Sequence, residues 1–515
     1  MYRKLFRNCS TVSIGLIVSR LSGVVKLAIV ASIFGTGDAM DSFLVAMAIP
    51  TAVLTIAGEG IYVAAVRLIS RHRGPAGDGG GSISNDGWAE ISSLFNFSVA
   101  GIAAFSAAYW VFSPAIISLV APGFSEQKLA QADMLARCLA PVAILTAVQN
   151  VLHAILHVHD RFAVPALKFL IFSTVAIVVV LALHSRLGIA AYALGDVMGE
   201  LTCCFVCYLA VKRIGGRYAW AWRRGRSLRE SIRMGVPTMA GAGVLQVTPI
   251  TDRMFASGLA AGSISALGYG LQLLMVPLSF VRTIVDVGFP EIANIFHKPP
   301  AERDEPLRQA VRVSFTMLAV AAVPAAVVLL IWRRMLIALL LERGQFDAVS
   351  AEATAIAVFF YSFALIPMVA RYFMTRLSQS FGDSLTPLPA AVISAASNIA
   401  LNLLLVPVMG HAAIPVSLSV GTALGAAVLY AQLRRKVDVL RKAGIESIAV
   451  RTIAAGAVMF AVYAAAERLS GSTIAAGCAA AAAYGAGLMM AGVVRPQYLL
   501  RIASFPILAR GKASV

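Results

Sequence analysis

Apolar runs of about the length needed to cross a bilayer recur along the whole 515-residue chain. A hydrocarbon core about 30 Å thick needs roughly 20 mainly apolar residues per helix. Lipid offers no partner to backbone N–H and C=O groups, so helices and closed barrels are the only spanning solutions. On this rule we expect about fourteen helices, near 9–33, 41–69, 89–118, 130–157, 164–184, 188–211, 230–257, 264–295, 309–332, 350–378, 386–407, 412–434, 448–467 and 473–494. Only 13% of the residues are charged and 59% are hydrophobic, against about a quarter charged in a soluble domain. The expected class is an all-α polytopic membrane protein with no large soluble domain. Arg3, Lys4 and Arg7 precede a first run that is long and lacks a small-residue cleavage site, so it reads as an uncleaved first helix.

The formal net charge of +18 could suggest nucleic acid, but the basic residues recur in alternate loops. With the N-terminus in the cytoplasm, the inner loops hold Arg71, Arg73, Arg161, the run from Lys212 to Arg229, Lys298, Arg303, and the cluster from Arg434 to Lys442. The tail adds Arg495, Arg501, Arg510 and Lys512. The outer loops GTGDAM, GLAAGS and VMGHAA hold neither Lys nor Arg. This is the positive-inside pattern, with both termini cytoplasmic and no nucleic-acid partner. Lys128, Arg186, Arg343, Arg468 and the Arg333–Arg334 pair are the exceptions.

The stretch GPAGDGGGS (74–82) reads as a flexible inner linker. The basic segment 219–235, with Trp220 and Trp222, reads as an interfacial connector against anionic lipid. Cys203, Cys204 and Cys207 in CCFVC lie inside an expected span with no histidine nearby in sequence, so they read as buried thiols. His153 and His157 in HAILHVHD sit at i, i+4, but further metal ligands are lacking and an interfacial pair is the better account. We expect no bound metal and no cofactor. The chain contains no HExxH, GxxxxGK[ST] or GxSxG, so neither an ATP-driven pump nor a hydrolase has support, and no enzymatic activity is expected.

Two pairs of stretches hint at an internal repeat. GTGDAMDSFLVAMAIP ends at Pro50 and GLAAGSISALGYGLQLLMVP ends at Pro277, each an outer hairpin followed by a helix containing proline. DRFAVP (160–165) and GDSLTP (382–387) are inner turns that open a helix with proline. Both pairs are offset by six helices, which suggests two six-helix lobes plus two C-terminal helices. The expected organisation is an N-terminal lobe over 1–215, a C-terminal lobe over 216–440 reached through the connector 212–233, and helices 13 and 14 with a basic tail over 441–515. Transporters built from repeats bind substrate where the repeats meet.

SRLSGVVKLAIVASIFGTGDAMDSFLVAMAIP resembles the first hairpin of the MurJ (MviN) family of lipid II flippases. VAPGF, DRFAVPAL, DRMFASGLAAGSISALGYGLQLLMVP, LLERGQFDA, FGDSLTP and LRRK agree with that family in order. The resemblance covers nearly the whole chain. It implies membership of the multidrug/oligosaccharidyl-lipid/polysaccharide exporter superfamily. It also implies two six-helix lobes about a V-shaped cavity, with helices 13 and 14 forming a lipid-facing groove. The implied activity is alternating-access translocation of a polyprenyl-diphosphate-linked saccharide across the bacterial inner membrane. In peptidoglycan biosynthesis, and so in cell-wall biogenesis and cell shape, that cargo is lipid II. The implied partners are this cargo, membrane lipids, and a coupling ion or the membrane potential.

The same resemblance marks candidate substrate-binding residues. Lys26 and Arg20 match family arginines on helix 1, and Asp41 matches an acidic residue at the outer start of helix 2. Arg20 and Lys26 are about 600° apart around the helix, so they do not share a stripe. Either they contact phosphate, with Asp41 gating, or they form interhelix ion pairs that fix packing. Glu59, Asp252, Arg253 and Gln272 complete the candidates. Arg282 and Asp286, four apart, read as a pair along one face, and Arg371 and Arg376 as snorkelling anchors. Four charged family positions are neutral here: Leu27, Leu54, Gln272 and Met275. That keeps open another lipid-linked oligosaccharide as cargo, for an exopolysaccharide or O-antigen. It also keeps open a cation-coupled exporter and a membrane scaffold that transports nothing.

Overall fold

The structure is a computed structural model, and it describes residues 19–73, 83–223, 225–296, 299–383 and 385–493. The 74–82 linker and the basic tail lie outside the described residues. No β-strand occurs among those described. Helix α1 covers 19–34, and α2 (Asp38–Ala46) runs into α3 (Ala48–Arg73) past Met47. Pro50 lies in the first turn of α3, where a missing N–H is tolerated. Next come α4 (Asn85–Val120), α5 (Glu126–Val158), the single turn α6 (Ala163–Ala166), α7 (Lys168–Leu187) and α8 (Ala190–Arg213). The second half of the chain holds α9 (Arg226–Ser257), α10 (Ser263–Phe296), α11 (Pro300–Leu340), α12 (Ala348–Ser380), α13 (Pro387–Met409) and α14 (Ala413–Lys436). Short α15 (Asp438–Ala443) precedes α16 (Ile445–Ser470) and α17 (Thr473–Met490).

Each expected range is helical over most of its described length. Among the described residues, eleven helical stretches are long and apolar enough to cross a membrane, and one of them, Pro387–Lys436, contains both α13 and α14. Helix α9 is not among the eleven, because the uncharged stretch between its polar ends, MGVPTMAGAGVLQVTPIT, is interrupted by glycine, proline, threonine and glutamine and is too weakly apolar. Helix α11 has 41 residues, about 60 Å of helix, twice the hydrocarbon thickness. Part of its surplus is the charged start Glu302–Arg308, which belongs in water.

The chain divides into two compact units. The first holds the described residues up to Tyr269, with Ile337–Thr354 and Ile399–Ile414, and the second holds Gly270–Leu336, Ala355–Asn398 and the rest from Pro415. In the first unit, Leu68, Ile69, Trp88, Ile91, Val151, Ile155, Leu156 and Val211 form one packed core of α3, α4, α5 and α8. In the second, Ala455, Met459 and Tyr463 of α16 and Ala476, Ala480 and Tyr484 of α17 close on Val323 of α11. Large apolar side chains elsewhere stay exposed, such as Leu404 at 69% and Val408 at 82%. Water would penalise this, but lipid tails do not, because they are as apolar as the side chains themselves.

The connector after α8 runs without regular structure from 216 to 223 and is pinned along the first turns of α4. The Ala219 and Arg223 N–H groups donate to Ser92 Oγ and Ser93 Oγ, each at 3.0 Å, and Asn96 Nδ2 donates to the Ala221 carbonyl at 2.9 Å. Tyr218, Trp220 and Trp222 meet edge to face in sequence, and Trp222 meets Phe97 of α4 the same way.

Candidate functional site

Two glycines of α8 set the first part of the site. A Cβ at Gly195 would lie 3.1 Å from the Ala176 carbonyl oxygen, and one at Gly199 would lie 2.8 Å from the Phe172 ring. Only without side chains there can α7 and α8 approach this closely. The approach places Phe172 and Asp196 beside α1, and Lys26 Nζ meets Asp196 Oδ1 at 3.2 Å. The ammonium also lies 4.4 Å from the Phe172 ring centroid and 5.1 Å from that of Tyr192, and Phe43 stacks on Tyr192 at 4.2 Å. The lysine side chain is 15% exposed and the aspartate 4%. A cation held by a carboxylate and two ring faces meets the cost of leaving water in a low-dielectric setting. The interhelix ion pair, one of the two readings of Lys26, is therefore present.

One turn further along α8, Glu200 Oε1 pairs with Lys168 Nζ at 3.3 Å. Cys203, Cys204 and Cys207 continue below it as buried thiols. Neither Asp196 nor Lys168 is among the seven sequence candidates. An ionisable residue inside an expected span was the available signal for Asp196.

Asp41 forms the second part. Its Oδ2 accepts the Gly262 N–H and its Oδ1 accepts the Ser265 N–H, both at 2.8 Å, so a carboxylate from α2 satisfies orphan donors at the start of α10. Lys128 Nζ lies 2.5 Å from Asp38 Oδ1 and 3.9 Å from Asp41 Oδ2. The exceptional outer-loop lysine is thus a local counter-ion to two acids. Around this cap, two turns lock through glycine. Gly35 and Gly344 have φ of +59° and +60°, and a Cβ on either would fall within 2.4 Å of the other turn's backbone carbonyl oxygen, that of Gln345 or of Ser32. The Gln345 N–H donates to the Ser32 carbonyl at 2.8 Å, and the Tyr269 hydroxyl donates to the Gly35 carbonyl at 3.1 Å. Asp347 opens α12 by accepting the Ser350 N–H at 2.8 Å, and that hydrogen bond holds its carboxyl below the usual carboxylate range.

The other candidates are dispersed. Arg20 is exposed, with its guanidinium 5.2 Å from the Phe169 ring. Glu59 is exposed on α3, one turn before Tyr62, whose hydroxyl hydrogen-bonds His157 Nδ1 at 2.8 Å. His157 stacks against His153 at 6.2 Å. Asp252 accepts from Asn402 Nδ2 at 2.9 Å, and its neighbour Arg253 is half-buried. Gln272 is exposed on α10, in the second unit. The expected Arg282–Asp286 pair along α10 is not the arrangement seen; Asp286 turns to α12, where Tyr372 and Arg376 take it.

A sequence model of the family described as "Lipid II flippase MurJ" matches residues 30–481. The chain belongs to the MurJ lipid II flippase family. It is 24% identical over 444 residues to the lipid II flippase MurJ of Burkholderia cenocepacia, covering 84% of each chain. It is 23% identical over 452 residues to the probable lipid II flippase MurJ of Rickettsia prowazekii, covering 86% of each. Among solved structures, a lipid II flippase MurJ in an inward closed conformation superposes with a TM-score of 0.78 at 19% identity, covering 93% of this chain and 98% of that one. An inward-facing multidrug resistance MATE family transporter of the MOP superfamily superposes at 0.68 with 13% identity, covering 82% and 96%. This MurJ-family chain is therefore a multi-pass membrane protein with the fold of those transporters. Of the four positions that the family resemblance marks as charged, Leu27 is 5% exposed and packed as a core residue. Leu54 and Met275 are half-buried, and Gln272 is exposed.

Proposed function

We propose that this chain moves a polyprenyl-diphosphate-linked cell-envelope precursor, lipid II, across the bacterial inner membrane by alternating access. The observation that carries this reading is the family match over 30–481, supported by curated MurJ relatives aligned along 84–86% of both chains. A diphosphate with sugars cannot enter hydrocarbon without a polar path, and positioned cations supply one. An ammonium has three donors, and Asp196 Oδ1 engages Lys26 at one point, so Lys26 has capacity left for a phosphate oxygen. Arg20 adds a second cation on the same helix. Asp41 holds the outer hairpin shut, and its release from Gly262 and Ser265 accompanies opening. Glu59, Asp252, Arg253 and Gln272 contact the headgroup. The lobes are 1–215 and 216–440, the termini face the cytoplasm, and the step is non-enzymatic, driven by a coupling ion or the membrane potential.

The test is replacement of MurJ in a depleted cell. Rescue is expected from this chain, lost in Lys26→Ala and kept or improved in Leu54→Arg; absence of rescue by the wild-type chain overturns the reading. The neutral residues Leu27, Leu54, Gln272 and Met275 favour a second reading, a different lipid-linked oligosaccharide. Under that reading a deletion strain keeps its wall and loses a surface polysaccharide.

A further inference from the structure

Helix α5 carries a polar stripe inside the first unit that the function proposed above does not use. Thr146, Gln149, His153 and His157 follow one another at spacings of three, four and four, which places them along one side of the helix. Thr146 Oγ1, both amide atoms of Gln149 and His153 Nε2 are buried and make no hydrogen bond to any described residue. His153 stacks 6.2 Å from His157, whose Nδ1 hydrogen-bonds the Tyr62 hydroxyl at 2.8 Å. The stripe spans about 16 Å of helix. It ends near the turn where Arg73 pairs with Asp160, in a basic region of the kind that marks the inner side.

Helices α7 and α8 supply the charged part. Glu200 lies on one face of α8 with Asp196 a turn before it and Cys203, Cys204 and Cys207 after it. Its side chain is 9% exposed; Oε1 takes the Lys168 ammonium at 3.3 Å, and Oε2 is buried with no hydrogen bond to any described residue. Lys168 opens α7 and lies close enough to His153 for the two to interact electrostatically. Buried polar atoms normally have partners, so an orphaned carboxylate oxygen beside a stripe of orphaned polar atoms points to a ligand. Among the described residues no three His, Cys, Asp or Glu side chains are placed to hold a metal ion, and the Lys168 ammonium would repel one. A proton needs only one lone pair, which Glu200 Oε2 offers.

We propose that Glu200 Oε2 is a proton-binding site within the first unit, reached from the cytoplasmic side through His157 and His153. One proton leaves a hydronium ion at the inner end of α5, passes along the two imidazoles, each of which accepts at one nitrogen and donates at the other, and binds the free carboxylate oxygen; no bond to carbon changes. A neutral Glu200 no longer holds the ammonium, and Lys168, at the first position of α7 and already 20% exposed, turns its charge toward the inner interface. The titratable groups around Glu200 are Lys168 of α7, His153 and His157 of α5 beyond it, and Cys203, Cys204, Cys207 and Asp196 of its own helix. Asp196 in turn holds Lys26 of α1, and His157 holds Tyr62 of α3. The charge change at Glu200 is thereby felt one turn away at the Lys26–Asp196 pair. This deepens the flippase reading by naming its coupling ion, and rests on it for that purpose.

The experiment uses the full-length protein in nanodiscs, with the proton itself as the probe and infrared difference spectra recorded across a pH titration. Acidification is expected to bring up the C=O stretch of one buried carboxylic acid, which Glu200→Gln removes. Lys168→Gln takes away the cation that favours the carboxylate, so it is expected to move the midpoint of that band to higher pH by about 1–3 units; it also provides a second variant should Glu200→Gln fail to fold. After a pH jump the band is expected to form more slowly in His153→Leu, and an unchanged rate overturns the histidine route. A band that survives in folded Glu200→Gln, no such band in the wild type, or a midpoint indifferent to Lys168→Gln overturns the proton site. If the wild-type chain rescues MurJ-depleted cells and shows no titrating carboxyl, only the proton site falls. If the carboxyl titrates as expected and the wild-type chain does not rescue, the site stands and the flippase reading falls.

Discussion

Lys26 and Asp196 show how a charge survives inside an apolar segment: each is the other's solvent. The pair does not have to stabilise the fold relative to a hydrophobic pair of the same size, but half of it is worse than none. Asp196→Ala should leave a buried ammonium and cost about 3–5 kcal/mol. The double variant Lys26→Met/Asp196→Leu should recover most of that, read as thermal unfolding in detergent. A single variant that melts like the wild type would show that the pair is not maintained in the membrane. Asp383, in the turn between α12 and α13, behaves differently because it lies near water. The Lys436 ammonium at 2.8 Å, with Thr386, holds its carboxyl well below the usual range. A carboxylate with a depressed folded pKa stabilises fully above the unfolded value of about 3.9 and loses that contribution as pH falls through lower values. The stability gap between wild type and Asp383→Asn should therefore be present at pH 7 and close on acidification from about pH 4 downward. A gap independent of pH would contradict this assignment.

At the level of elements, glycine decides which helices touch. The Gly235 Cβ position lies 2.5 Å from the Gly60 carbonyl oxygen, and a Cβ on Gly60 would meet Met239 Cγ at 2.3 Å. Helices α3 and α9 therefore cross with backbones nearly in contact. Gly235→Val forces them apart and should destabilise by about 1–3 kcal/mol, the usual cost of overpacking. A cysteine pair engineered across α3 and α9 near this crossing should crosslink in the parent and more slowly in the Gly235→Val background. Equal rates would place the crossing elsewhere. The interfacial reading of the connector is too coarse at this scale. Basic residues and tryptophans identify an interfacial segment, but Ser92, Ser93 and Asn96 of α4 fix its path, and nothing local in 216–223 names those partners.

For the whole molecule, the alternation of basic and uncharged loops makes a topological prediction. A cysteine placed at Thr36 or Ala261 in a cysteine-free background should react with an impermeant thiol reagent in intact cells, and one at Gly215 or Gly382 should react only after permeabilisation. The reverse pattern would invert the proposed orientation.

Hydropathy and the order of turn motifs sufficed for the helical class, the approximate element ranges and the family, because each depends on residues close in sequence: 20-residue apolar runs, and glycine–acid or proline-opened turns. GTGDAM and LERGQFDA were legible as motifs, yet their purpose as mutually locking turns, Gly35 against Gln345 and Gly344 against Ser32, was not. Nor was the partner of Lys26, 170 residues away at Asp196, nor that of Asp41 at Gly262 and Ser265, nor the departure of Asp286 from its own helix toward Tyr372. Local pattern fixes how each segment buries its backbone in lipid; which charge meets which depends on where close-packed helices bring distant residues together, and that information exists only after the chain has folded.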